Sequence, residues 1–384
     1  MSRDRILFVS NGYAEDVGAA AVIRALSPHD LTVSAYPLVG LGGHFPPEVE
    51  LLNPRRDFPS RGFGPRAGWA SFREDLARGL VGFWRAQYRT LRAQRGRADL
   101  VVVVGDVYCL WMASTVGAPT VFLVGPKSEY IAPHSRLELW SIRRLACDVF
   151  ARDELTAAAL RGRGIAAAYV GFWPMDALTF SGETFSIPPE RPVITLLPGS
   201  KPPAFDNLVL LLGAVNAAAT SLVAPPAVLV AWVPELSPAR LRDTVTAAGG
   251  AWTDPHHFRF GALEVAVTTD RYPDALRRAT IVMGMAGGAN EHAAGLGKPI
   301  VAFPGTGPQF TPRFLGEQQR LLGDALVATP TWQDGACALA RLLGDPDERD
   351  RRGRAGIQRL GGTGAAAAIA RRLLERLRLN RLSA

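Results

Sequence analysis

Cysteine is nearly absent from this chain. Cys109, Cys147 and Cys337 are scattered over 384 residues, and no two form a CxxC pair. That spacing excludes a disulfide framework and a cysteine zinc site, and it suits a reducing cytoplasm. Charge is also sparse: charged residues make up 20% against 48% hydrophobic, which excludes bulk disorder. No signal-like segment precedes the first apolar run, Ile6–Ser10. The most apolar stretch, 208–233, is split by Pro225-Pro226 and punctuated by Asn216, Thr220 and Ser221. It predicts a buried helix followed by a buried strand rather than a membrane span.

The net charge is +8. A solvated basic surface explains it, and so would an anionic partner: nucleic acid, a membrane surface or a phosphorylated substrate. The arginines are dispersed, at Arg55/Arg56, Arg61, Arg143/Arg144, Arg277/Arg278 and a run from Arg349 to Arg354. No basic module interleaved with aromatics appears, which sets nucleic acid aside. Trp69, Phe72, Phe83, Trp84 and Tyr88, with Arg73, Arg78, Arg85 and Arg89, have a spacing that suits either an interfacial membrane surface or a buried helical stripe.

What the chain does have is short apolar runs alternating with helix-length segments. ILFVS (6–10), LTVSAYPLV (31–39), DLVVVVGD (99–106), PTVFLVG (119–125), CDVFAR (147–152) and AAYVGF (167–172) form one βαβ series. The uninterrupted β-branched run at 99–106 is the pattern of a central parallel strand buried on both faces. A Gly/Pro-rich linker covers 181–192. The pattern then restarts with PVITLLPGS (192–200), AVLVAWV (227–233), EVAVTT (264–269), TIVMGMAG (280–287) and PIVAFPG (299–305). These runs predict an N-terminal domain over 1–182, a C-terminal domain over 183–362, and a terminal segment, 363–384, forming one amphipathic helix.

Three segments carry candidate chemistry. In 283–305, Gly284, Ala286, Gly287, Gly288 and Ala289 let a ligand approach the backbone. A helix from about Asn290 would offer free N–H groups and its dipole to a diphosphate. Glu291, placed in the first turn, would accept from ribose hydroxyls. The bland alternative is a tight strand–helix turn with an acidic helix start. In LLPGSKPPAF (196–205), Gly199, Ser200 and Lys201 form a second turn suited to phosphate. In 305–323, Gln318 and Gln319 are either sugar-hydroxyl contacts or exposed helical glutamines.

In colinear order these segments resemble the C-terminal half of a glycosyltransferase of the two-Rossmann, glycosyltransferase-B type. The chain is most similar to lipid-A-disaccharide synthase and its relatives over about 1–330. NGYAEDVGAAAVIRAL (11–26), VVGDVYCLWMAS (103–114), VGPKSEYIAPHSR (124–136) and 147–178 resemble the family's first-half segments, and LLPGSK its Leu-Leu-Pro-Gly-Ser-Arg. The chain departs from the family at Ala14-Glu15-Asp16, where the synthase has Ser-Gly-Asp. It departs again at Lys127–Tyr130, in place of a tryptophan-rich acceptor segment, and at Phe172, in place of a histidine.

The resemblance implies an α/β fold of two Rossmann-like domains facing a cleft, with the C-terminal helix packing back on the N-terminal domain. It implies an inverting transfer from a UDP-sugar to a lipid or glycolipid-like acceptor. Helix N-termini and basic residues would offset the diphosphate charge, so no metal and no cofactor are expected. The protein would sit in the cytoplasm, peripheral at the inner face of the membrane. Asp106 is the candidate base, or else an N-cap. Glu15 and Asp16 form a second acidic pair, positioning acceptor or favouring a helix start. His134 would assist or be a lone surface histidine, and His256-His257 has no metal-type partners. A UDP-N-acetylglucosamine 2-epimerase also resembles 287–299, with its Gly-Gly, Glu and Leu-Gly-Lys-Pro. However, that family's Gly-Thr-Arg-Pro-Glu loop and its His-containing first-half segment are missing. A nucleotide-sugar binder without turnover is the third alternative.

Overall fold

The computed structural model describes residues 3–58, 69–125, 127–220, 222, 224–307 and 310–383. Arg61 and the side chain of Trp69 lie outside the described residues. The chain divides into two compact units, Met1–Ala177 with Thr363–Ala384, and Leu178–Gly362.

Unit 1 runs β1 (Asp4–Ser10), α1 (Ala14–Leu26), β2 (Leu31–Pro37), β3 (Glu50–Leu51), α2 (Trp69–Ala77), α3 (Leu80–Ala93), β4 (Leu100–Gly105), α4 (Val107–Ser114), β5 (Thr120–Val124), α5 (Arg136–Leu145), β6 (Asp148–Phe150), α6 (Glu154–Arg161) and β7 (Ala167–Ala168). Its described strands form one sheet in the order β3-β2-β1-β4-β5-β6-β7, parallel throughout. As the valine run predicts, all six residues of β4 are buried. Alternate residues serve opposite faces. Ile6, Phe8, Val102 and Val104 pack with Val22, Ile23 and Leu26 of α1. Leu7, Val9, Val101 and Val103 pack with Leu91 of α3, Cys109 and Leu110 of α4, and Ile142 of α5.

Unit 2 runs β8 (Val193–Leu197), α7 (Ala204–Ala219), β9 (Ala227–Ala231), α8 (Pro238–Ala247), β10 (Ala251–Trp252), β11 (His257–Phe260), β12 (Leu263–Thr268), α9 (Tyr272–Arg278), β13 (Ile281–Gly284), α10 (Gly287–Gly295), β14 (Ile300–Ala302), α11 (Pro312–Leu322), β15 (Leu326–Ala328), α12 (Trp332–Gly344) and α13 (Pro346–Leu360). Its sheet order is β10-β11-β12-β9-β8-β13-β14-β15. The core strands are parallel, and β10 and β11 add an antiparallel edge. The apolar stretch at 208–233 resolves into α7 and β9, with Leu208, Leu211, Leu212 and Val215 buried. Both units are therefore Rossmann-like.

The last helix, α14 (Ala365–Ser383), belongs to unit 1. Ile369, Leu373 and Leu377 enter the same cluster as α1. The Asp176 carboxylate accepts from Gly364 N at 2.5 Å and Ala366 N at 2.7 Å, capping the helix from outside it. Arg372 and Arg376 donate to Asp148 at 3.3 and 2.5 Å. The aromatic stripe at 72–88 is mostly internal. Phe83 is buried with Phe58 and Leu80, Phe72 and Trp84 pack against them, and Tyr88 alone of these is markedly exposed. Among the described residues, no helix is long and apolar enough to cross a membrane.

Candidate functional site

Two clusters of site residues form, one at the carboxyl end of each sheet, where open α/β sheets bind ligands. In unit 1, β1 leads through Asn11, Gly12 and Tyr13 into α1. Gly12 has φ +107°, and a Cβ there would lie 2.1 Å from Val39 O, so only glycine fits. Tyr13 also has positive φ, 50°, and its hydroxyl donates to Asp57 Oδ1 at 2.6 Å. This turn sets Glu15 over the ends of β4 and β5. A Cβ on Gly125 would lie 3.2 Å from Glu15 Cγ and 3.3 Å from Oε1.

Burial pushes the Glu15 carboxyl up to about 7, and the neighbouring Asp16 and Asp106 charges add to that. Its backbone hydrogen bond and the Arg152 guanidinium oppose the rise. Arg152 is itself buried; it donates to Gly125 O at 3.3 Å and lies 5.2 Å from the Phe172 ring centroid. Asp16 faces inward instead. It is 1% exposed and accepts from Ser10 Oγ at 2.5 Å, and burial pushes it up to about 6. A contact from Asp16 to an acceptor is therefore not what the geometry offers.

Asp106 takes the capping role of its two alternatives: Oδ1 accepts from Cys109 N at 3.1 Å at the start of α4. His134 is not a surface residue. It is 8% exposed, and Nδ1 lies 2.6 Å from Glu129 Oε1. The segment around it is stitched down: Ser128 donates to Asp153 at 2.7 Å, and Lys127 to Glu138 at 3.2 Å.

In unit 2, β8 and β13 are neighbours, with Leu197 opposite Gly284. Gly199, φ +108°, brings its loop within 3.4 Å of Met285 O, measured from where a Cβ would stand. Ser200 is exposed beside it and Lys201 half-buried. α10 begins at Gly287, three residues earlier than expected, because glycines at its first two positions are tolerated in a helix start. Two assignments change as a result. Asn290 is fully buried: Nδ2 donates to Gly284 O at 3.3 Å, and a Cβ on Gly284 would lie 1.8 Å from Oδ1. It locks the turn instead of facing a ligand. Glu291 stands in the second turn, 9% exposed, and no acidic residue occupies the first.

The amides of Gly287, Gly288 and Ala289 are the free N–H groups of this helix. Its N-cap, Ala286, has no side chain able to satisfy them, whereas Asp106, Ser135, Asp153 and Thr311 cap α4, α5, α6 and α11. Above Gly288 the space is open, with nothing within 4 Å of a built Cβ. Gln318 Nε2 lies 3.9 Å from the Cβ position of Gly287. Gln318 is 3% exposed, and its Oε1 has no hydrogen-bond partner among the described residues. Gln319 turns away and donates to Leu326 O at 2.9 Å, a bond that holds β15.

Sequence reasoning missed Arg152, Asn207 and the Tyr272–His292 pair. Asn207 donates to Pro198 O at 3.0 Å and accepts from Thr306 N at 2.9 Å, tying the loops after β8 and β14 together. The Tyr272 hydroxyl lies 3.0 Å from His292 Nδ1, and burial raises its pKa. An arginine two residues after the end of β6 was the one available signal; the other contacts join positions too far apart in sequence to be seen. Among the described residues, no group of three or more His, Cys, Asp or Glu could hold a metal ion. His257 is paired with Asp254 at 2.9 Å.

Neither a family profile nor a curated protein sequence matches this chain. Solved structures do match over nearly its whole length. A UDP-GlcNAc 2-epimerase from Neisseria meningitidis bound to UDP-GlcNAc aligns with TM-score 0.63 and 15% identity, over 97% of this chain and 100% of that one. A putative UDP-N-acetylglucosamine 2-epimerase from Listeria monocytogenes gives 0.61 and 16%, over 96% and 94%. The calicheamicin glycosyltransferase CalG4 gives 0.58 and 17%, over 98% of both chains. At such identities the likeness speaks for the fold: the chain has the glycosyltransferase-B fold, two Rossmann-like α/β domains, shared by sugar-nucleotide epimerases and at least one glycosyltransferase.

Proposed function

We propose that this protein is an enzyme acting on a UDP-sugar, and that it transfers the sugar to an acceptor hydroxyl with inversion. The observation that carries the proposal is Glu15. A carboxyl raised to about 7 is half-ionised near neutral pH, which is what a general base requires. Glu15 takes the acceptor proton, the acceptor oxygen bonds to the anomeric carbon, and the bond to the β-phosphate breaks, releasing UDP. The Arg152 charge keeps the Glu15 carboxyl from rising further, and Asp106 contributes negative charge while capping α4. The uncapped amides of Gly287–Ala289 accept the diphosphate, with Ser200 and Lys201 as further phosphate contacts and Gln318 as a donor to phosphate or sugar. The acceptor is a lipid or glycolipid-like alcohol, and no metal takes part.

A second reading has its own support. Four of the solved structures similar to this chain are UDP-GlcNAc 2-epimerases, one of them putative, against one glycosyltransferase. As an isomerase, the chain would use Glu15 on the proton at sugar C2 and need no acceptor. Incubation with UDP-sugars alone separates the two: the isomerase yields an epimer, whereas the transferase releases UDP only when an acceptor alcohol is supplied. A thermal-shift panel of nucleotides tests the donor. Stabilisation by UDP but not by ADP or GDP is expected, and no preference would refute the nucleotide assignment. A protein that binds UDP-sugar yet does neither reaction would be the non-catalytic binder.

A further inference from the structure

At the outer edge of the unit 1 sheet, β7 and α14 leave a slot between them. β7 is the last strand of that sheet, and only Ala167 and Ala168 pair, with Val149 and Phe150 of β6. Short side chains at this edge leave space beside the helix. The result is a cavity of about 600 Å³, within the range of sites for small organic ligands, roughly 300–1,000 Å³. Its floor is apolar: Phe150, with Ala168 and Val170, both only half-buried. Ala368, Arg371, Arg372 and Glu375 stand on the helix side, and their spacing of three and four puts them on one face of α14. Beside that face, Ile369 and Leu373 carry α14 into the core.

The charged groups around the slot differ in what they still have to offer. Asp148 accepts from Arg372 and Arg376, and Glu375 accepts from Arg372 at 3.1 Å. Arg161 donates to Glu154 and, at 3.3 Å, to Ala167 O. Arg371 is exposed and makes no ion pair with any described residue. Three arginines against two carboxylates leave the lining with one positive charge in excess. An apolar floor with one unneutralised guanidinium at its rim selects a ligand with matching halves, since a guanidinium binds a carboxylate, sulfonate or phosphate through paired N–H donors. The small floor residues favour a flat body. We propose that this slot binds an amphiphilic organic anion: a ring system bearing a single acid group, with the acid on Arg371 and the ring over Phe150, Ala168 and Val170. The bound ligand bridges α14 to β7 and so holds in place the helix that completes unit 1. The slot shares no residue with the Glu15 cluster or the diphosphate turn, so the inference does not depend on the reaction proposed above.

Fluorescence titration of the full chain with anilinonaphthalene sulfonate tests it, because that dye is a fused ring with one acid group and brightens in apolar surroundings. The dye should saturate a single class of site, and high salt should weaken it. The neutral phenylnaphthylamine, which keeps the rings and lacks the acid, should bind about ten-fold more weakly. Arg371→Gln should cost the dye the same factor of about ten and leave the neutral compound unaffected. Ala368→Phe fills the slot from the helix side and should abolish binding of both. Saturating UDP should displace neither, and hydrogen exchange with dye bound should show added protection in α14 and β7. Circular dichroism melts check that each variant is folded. Should Ala368→Phe fail to fold, Arg371→Gln, whose side chain is exposed, and the exchange pattern of the wild type still decide. Absence of saturable binding, equal affinity for the neutral compound, displacement by UDP, unchanged affinity in folded Arg371→Gln, or protection confined to other elements overturns the proposal.

Discussion

Glu15→Gln should make this protein more stable and less active, and the size of both effects depends on pH. Burial pushes the Glu15 carboxyl up to about 7 in the fold, against its ordinary value of 4.5. A carboxyl with a raised folded-state pKa holds its proton more tightly when folded. Its contribution to stability is therefore full below 4.5 and is lost as pH rises through 7. At about 1.36 kcal/mol per pKa unit, ionising it in place costs on the order of 3 kcal/mol, and less to the extent that solvent reaches this half-buried side chain. Glutamine keeps the shape and never ionises. The variant should match the wild type near pH 5 and exceed it at pH 8 by about 1–3 kcal/mol. For a unit of this size that is roughly 2–12 °C in Tm, since each kcal/mol moves Tm by about 2–4 °C. Turnover at pH 8 should fall by about 10²–10⁴, the usual contribution of a general base, while the thermal shift given by UDP persists. Wild-type kcat/KM should rise with pH around a midpoint near 7. Paired melting curves from pH 5 to 8 check the reasoning without any substrate. A gap between variant and wild type that stays flat with pH would refute the raised carboxyl, and the base assignment with it.

Asp106→Ala removes the cap of α4 and should cost about 1 kcal/mol in chemical denaturation. It also removes a negative neighbour, so the Glu15 midpoint should move down; an unmoved midpoint would disconnect the two. Gly284→Ala places a methyl 1.8 Å from Asn290 Oδ1, and overpacking of this kind costs about 1–3 kcal/mol. Adding Asn290→Ala should recover part of that loss, and a purely additive double variant would argue against the interlock. Gln318→Leu replaces an unsatisfied buried amide with a similar apolar volume, so Tm should hold or rise. UDP or UDP-sugar affinity should drop severalfold, and unchanged affinity for both would remove Gln318 from the donor site.

The parallel cores were legible because a strand buried on both faces must be apolar along its whole length, as Val101–Val104 are. The antiparallel edge was not. His257–Phe260 pairs its Phe258 inward while His257 and Arg259 face solvent, so its polar half looks like a loop. AAYVGF was read as a full strand, yet only Ala167 and Ala168 pair with β6. The anion-binding turn was visible from its small residues, but its helix start was misplaced, since glycines at Gly287 and Gly288 disguise the first turn. That shift decides which groups can meet a phosphate: backbone amides rather than Asn290 or Glu291. Glu15 and Asp16 looked equivalent as neighbours in sequence. A rotation of about 100° per residue on α1 separates them, one toward the sheet end and one toward Ser10.

The return of α14 to unit 1 makes unit 2 an insertion within a discontinuous unit 1. On a ribosome, residues 178–362 emerge as one uninterrupted stretch and can fold as soon as they are clear. Unit 1 must wait. Until Ile369, Leu373 and Leu377 arrive, the α1 face of its sheet lacks its cover, and Asp148 lacks both of its arginines. The unit whose strands are made first is thus completed last, by a helix that follows the whole of the other unit in sequence.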